Sequence, residues 1–177
     1  MKHKILFVSH CFLNDAAKLK HQNIQNQQQE RLAKRNFLKQ ALDLDIELIQ
    51  LPCPEFIFYG SNRWGHAACQ FNTPFFHEES RRLLKPFLLQ IKEYLSFPER
   101  FEVLGILGID GSPSCGVHFT YDGNWGGELS TNPNLNKDLH SLCKKDYPGI
   151  FMKVFQQILK EENLDIPFYS IETFSFF

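Results

Sequence analysis

The sequence has no apolar run approaching the roughly 18 residues that a membrane-spanning helix needs. Its first apolar stretch, Ile5-Leu6-Phe7-Val8, is too short for a secretory leader, and no small-residue cleavage site follows it. Charge of one sign is not in excess: 19 Lys and Arg stand against 20 Asp and Glu, so no global field draws the chain toward nucleic acid or an anionic membrane. There is no CxxC pair, which excludes a zinc ribbon and a thioredoxin-type motif. No glycine-rich loop follows the first apolar run, so the usual nucleotide-binding signature is missing. Ala17 stands where the C-x₅-R motif of cysteine phosphatases, counted from Cys11, would need arginine. Internal repeats, low-complexity tracts and an interdomain linker are absent too. These absences predict one cytoplasmic domain over residues 1–177, with a small-molecule partner and neither nucleic acid nor membrane; they leave the oligomeric state open.

What the chain does contain is hydrophobic pattern. Residues 5–9, 46–51, 103–109 and 168–173 are short, apolar and bounded by turn residues, as buried parallel strands are. Between them, residues 24–44, 78–95 and 136–162 have helical character, the last broken into two helices by Pro148-Gly149. The order β-α-β-α-β-α-β predicts an α/β fold: a doubly wound, Rossmann-like sheet of about four parallel strands with helices on both faces. Two loops, residues 54–77 and 116–133, are longer than simple connections require, and both carry aromatics and glycines suited to covering a flat ligand. Tyr59, Trp64, Tyr121 and Trp125 are candidates to stack on a ring, and Arg63 to bind an anionic group. The 18 phenylalanines imply either an aromatic core or an apolar pocket.

Five cysteines, at 11, 53, 69, 115 and 143, are an odd number in a compartment that disfavours disulfides, which points to metal binding or catalysis. Cys11, Cys53 and Cys115 each fall just past a predicted strand, where the edge of a parallel sheet binds ligands. Cys69 falls in a predicted loop and Cys143 in a predicted helix. Three soft thiolates suit zinc, copper(I) or an iron–sulfur cluster. On a cubane, three protein ligands leave one iron open to act as a Lewis acid. Pro52 and Pro54 fix the backbone around Cys53. Glu55, two residues on, is a candidate proton donor or water-activating base. Ser112 and Ser114 are candidates to hydrogen-bond the turn before Cys115.

Ser9-x-Cys11-x-Leu13, Cys53-Pro54-Glu55 and Ser112-Pro113-Ser114-Cys115-Gly116 resemble, in the same order, the three signature segments of the TudS-type thiouracil desulfidases. Tyr59-Gly60 and Arg63-Trp64-Gly65 are similar to a TudS-related branch of desulfidases. The resemblance spans about residues 4–117. It implies a [4Fe-4S] cluster on Cys11, Cys53 and Cys115, with Glu55 and Ser112 as the catalytic carboxylate and serine. Arg63, Trp64, Ser114 and Tyr121 would then contact a thiolated nucleobase or similar heterocycle, whose C=S becomes C=O with release of sulfide. Two departures border this pocket: His10 replaces a small residue before the first cysteine, and Asn14 replaces a glycine. The segment after Asn14 also lacks a glycine-rich turn. The competing expectations are a zinc-dependent hydrolase on the same three cysteines and a non-catalytic sulfide or cluster carrier.

Overall fold

The computed structural model describes residues 2–20 and 23–176. Strand β1 (His3–Val8) leads through a one-turn helix α1 (His10–Leu13) and a 3₁₀ turn (Asp15–Ala17) to α2 (Ile24–Asp43). After β2 (Ile46–Gln50) come α3 (Pro54–Tyr59), α4 (Ala68–Phe71) and α5 (Pro74–Leu95). The chain continues as β3 (Phe101–Leu107), β4 (Thr120–Asp122), α6 (Leu135–Leu139), β5 (Cys143–Lys145), α7 (Ile150–Glu161) and β6 (Phe168–Tyr169).

The main sheet has the order β2-β1-β3-β6 with every pairing parallel. Side chains of a strand alternate between faces, and both faces of β1 are buried. Ile5 and Phe7 join the cluster formed with α5 and α7, while Leu6 and Val8 join Phe37 and Ala41 of α2 on the other side. Helices therefore cover both faces, and the sheet is the doubly wound, Rossmann-like one that the β-α-β order predicts. Many of the phenylalanines serve the core, while Phe56, Phe75 and Phe97 are exposed. Phe12, Phe37, Phe174 and Phe176 contact one another on the α2 face, and Phe71 stacks on Phe76 on the other. Burying each such ring stabilises the fold by about 1.5–3 kcal/mol. β3 is kinked by an extra residue opposite Ile5/Leu6. Gly105 sits there at φ 150°, and a Cβ on it would come within 2.7 Å of the Pro167 carbonyl oxygen. A side chain at this position would thus hold β6 away from β3.

The structure corrects several local expectations. Residues 54–77 are not a long loop but α3, α4 and the start of α5, which is capped by the Thr73 hydroxyl accepting from the Phe76 N–H (3.2 Å). The stretch 136–162 holds two helices as expected, but the break is wider than Pro148-Gly149: β5 lies between α6 and α7 and pairs antiparallel with β4. Cys143 is therefore on a strand, and Cys69 is in a helix rather than a loop. Among the described residues no helix is long and apolar enough to cross a membrane.

Asp122 docks the small β4–β5 sheet to α4. Its carboxylate accepts from the N–H groups of Cys69 (3.0 Å) and Gly123 (2.9 Å) and from the Tyr147 hydroxyl. Burial alone would raise its pKa, but Tyr147 and the Cys69 contact outweigh that and hold it below the ordinary 3.8. A carboxyl depressed on folding lends stability above its unfolded pKa and loses it as pH falls through the folded value. Acid titration below pH 4 followed by circular dichroism should therefore show Asp122→Asn with a shallower loss of stability than wild type, and with less stability than wild type at pH 7.

Candidate functional site

The ends of β1, β2 and β3 open into a cavity of about 720 Å³, within the size range of small-molecule sites. Cys11, Cys53 and Cys115 all line it, together with Glu55, Ser112 and Ser114. Strand adjacency explains the convergence: β1 pairs with both β2 and β3, so the residues just past all three share one edge. Cys69 and Cys143 lie elsewhere, bonded through their thiols to carbonyls of Gly123 and Asp122 at the small sheet.

Each cysteine is held by a different local device. Cys53 is the N-cap of α3, its sulfur accepting from the Phe56 N–H at 3.4 Å, with Pro54 in the first helical position, where a missing N–H costs nothing. Cys115 lies in a turn whose carbonyls satisfy the free amides of α7. Gly149, Ile150 and Met152 donate to Gly116 (2.9 Å), Pro113 (3.0 Å) and Ser114 (3.1 Å). A Cβ on Gly149 would meet the Ser114 carbonyl carbon at 2.5 Å, so this approach requires glycine. Cys11 sits in the single turn α1.

The departures His10 and Asn14 pair with each other. The Asn14 amide donates to His10 Nε2 at 3.2 Å across that turn, and Asn14 Oδ1 caps the following 3₁₀ turn through the Ala16 N–H (3.1 Å). Asn14 has φ −133°, so no glycine is needed there.

Glu55 is the hub of the polar contacts and is only 7% exposed. One carboxylate oxygen accepts from the Ser114 hydroxyl at 2.6 Å, and the other faces Arg63 Nε at 3.4 Å. Ser112 lies 3.3 Å from Ser114, oxygen to oxygen, and also accepts from the Cys115 N–H at 3.0 Å. Since the Ser114 proton goes to Glu55, Ser112 donates to Ser114, and a chain Ser112–Ser114–Glu55 runs along the cavity wall.

Of the four residues expected to bind substrate, Arg63, Ser114 and Tyr121 line the cavity and Trp64 does not. Ser114 is buried and committed to Glu55. Arg63 borders the cavity but is an internal strut; its other donors go to the carbonyls of Gly60 (2.8 Å) and Ala17 (2.9 Å). Trp64 is 82% exposed and does not line the cavity, and neither do Tyr59 and Trp125. Tyr121 does line it. Sequence reasoning missed Asp15, Lys34 and Asp110. Asp110 lines the cavity and accepts from the Val117 and His118 amides.

Arg63 and Glu55 form a buried ion pair, with side chains 4% and 9% exposed. Removing one partner of such a pair leaves a charge uncompensated, at a cost of about 3–5 kcal/mol. Arg63→Met should lose stability of that order in urea unfolding, and adding Glu55→Gln should recover part of it.

Burial pushes the Cys11 thiol up to about 12, and it raises Cys53 and, well above the ordinary value, Cys115. Without metal these groups are thiols at neutral pH; a bound cation would displace their protons. Among the described residues no three His, Cys, Asp or Glu side chains are gathered to hold a metal ion. Cys11, Cys53 and Cys115 supply three soft sulfur donors around one cavity, a donor set that suits an iron–sulfur cluster or zinc.

Fold and site together define a parallel-sheet α/β protein with a thiol-lined cavity at the carboxyl edge of its strands. The chain is 29% identical over 118 residues to Uncharacterized protein MJ0003 of Methanocaldococcus jannaschii, a match covering 64% of this chain and 68% of that protein. No family model matches the chain. No solved structure matches it significantly.

Proposed function

We propose that this protein is an iron–sulfur desulfidase of the TudS type, acting in the cytoplasm on a thiolated nucleobase or similar small heterocycle. The reaction replaces C=S by C=O using one water and releases sulfide. The observation that supports the reading best is the gathering of Cys11, Cys53, Cys115 and Glu55 around one cavity. When bound to the three thiolates, a [4Fe-4S] cluster supplies an iron free of protein ligands, a soft Lewis acid for sulfur.

The chain's own residues do the rest. Glu55 Oε1 and Oε2 lie at the end of the serine chain and beside Arg63, so the carboxylate is fixed in orientation. It accepts one proton from water as the water's oxygen bonds to the thiocarbonyl carbon and returns it to the sulfur as the C–S bond breaks, while the second water proton leaves the new hydroxyl for solvent as C=O forms, so that the sulfur departs as hydrosulfide. Ser112, the more exposed hydroxyl of the pair, hydrogen-bonds the substrate and passes proton motion to Glu55 through Ser114. Tyr121 offers a face to a flat ring.

Anaerobic purification with visible absorption and iron and sulfide analysis tests this directly. About four irons and four sulfides per chain, with sulfide released from thio-heterocycles, are expected. A colourless protein that takes up no iron and sulfide on reconstitution would overturn it.

A further inference from the structure

We infer that Lys34 positions Cys11, locking the turn that carries it onto α2 through a buried ionic clamp. The purpose of the clamp rests on the desulfidase reading; its existence does not. Lys34 lies mid-helix on the same stripe as Phe37 and Ala41 and is 4% exposed. An ammonium is withdrawn from water this far only when its donors are satisfied. It donates to the Cys11 carbonyl at 3.1 Å and to the Asp15 carboxylate, and the Glu30 carboxylate lies 3.5 Å away as a second counter-charge.

The network extends on both sides. The second Asp15 oxygen faces Arg31 at 3.3 Å, and Lys18 pairs with Glu30. Burial opposes ionisation of Asp15, but the Lys34 hydrogen bond and charge outweigh it and hold the carboxyl below its ordinary range.

Cys11 needs this clamp more than its two counterparts do. Cys53 is fixed by a helix cap and two prolines, and Cys115 by the amides of α7. Cys11 rides on a single helical turn of four residues, too short to be stable by itself. The clamp and the Gln50 amide, which donates to the His10 carbonyl at 2.8 Å, tie that turn to the body of the fold beside the packing of Phe12 on Phe37.

Hydrogen–deuterium exchange on the metal-free protein separates positioning from general stability. Lys34→Met should speed exchange across residues 9–18 by roughly tenfold or more, with residues 52–60 and 110–117 unchanged. Lys34→Arg, which keeps the charge and the donors, should restore slow exchange. If Lys34→Met does not fold, Asp15→Asn, at a half-buried position, should show the same local effect to a smaller degree. In reconstituted protein, iron should be lost to a chelator several-fold faster from Lys34→Met than from wild type. Unchanged exchange at 9–18 in a folded variant, or a uniform rise over all peptides, would overturn the inference. A local rise in a protein whose wild type takes up no iron would uphold the clamp and remove the desulfidase reading instead.

Discussion

Glu55→Gln is expected to lower desulfidation turnover by about 10²- to 10⁴-fold, the usual contribution of a positioned acid–base group, while the purified protein keeps its iron. The substitution preserves shape and the contact with the Ser114 hydroxyl but removes the carboxylate that takes a proton from water. It also leaves Arg63 without its counter-ion, although the guanidinium keeps the carbonyls of Gly60 and Ala17. The assay therefore belongs well below the variant's unfolding midpoint, with circular dichroism on the same sample. Iron per chain and single-turnover rate are the two readouts. Intact iron with lost turnover assigns Glu55 to the chemistry. Intact iron with undiminished turnover would make Glu55 a structural partner of Arg63 and favour a protein that carries a cluster or sulfide without catalysing its release.

Replacing Cys11, Cys53 or Cys115 by Ala should reduce bound iron from about four per chain to near zero and abolish visible absorption. Cys69→Ala and Cys143→Ala should leave both unchanged. The contrast follows from placement: the first three thiols line one cavity, whereas the other two hydrogen-bond to backbone carbonyls at the β4–β5 sheet. The metal-free forms of all five variants should stay folded, since a small cavity from one lost sulfur costs far less than a domain's stability. Iron analysis after anaerobic reconstitution decides the matter. Retention of iron by Cys53→Ala or Cys115→Ala would contradict the proposed ligand set. One zinc per chain in place of iron would favour the zinc hydrolase.

The main sheet was legible because its signals are local. Four short apolar runs separated by helical periodicity leave few arrangements once parallel strands and right-handed connections are imposed. Cys11, Cys53 and Cys115 could be placed on one edge for the same reason, since each follows a strand. The start of α5 was equally readable in Thr73-Pro74, a cap residue followed by proline at the first helical position, yet the aromatic content of the surrounding segment suggested a lid. Cys143 was not readable. Its strand has three exposed residues, Cys143-Lys144-Lys145, and exists through its antiparallel pairing with β4 rather than through any propensity of its own.

Side-chain roles were harder still. Arg63 has the composition of an anion-binding residue, and only the tertiary structure shows its donors turned inward to Glu55, Gly60 and Ala17. Lys34 did leave a trace, a lysine three residues before Phe37 and seven before Ala41 on the buried stripe of α2. A charged residue at a position where periodicity calls for an apolar one is a sign that partners wait for it. Asn14 looked like a departure from a glycine-bearing motif because sequence alone does not reveal that the backbone there is extended.

The dependence of the Cys115 turn on the first amides of α7 has a bearing on how the protein is made. A chain emerging from the ribosome presents Cys11 and Cys53 early, but the carbonyls of Pro113, Ser114 and Gly116 find their donors only after residues 149–152 have appeared. The third thiol is thus set in place late in synthesis, once most of the chain has emerged. A product ending before residue 149 should therefore hold Cys115 less firmly than Cys11 and Cys53.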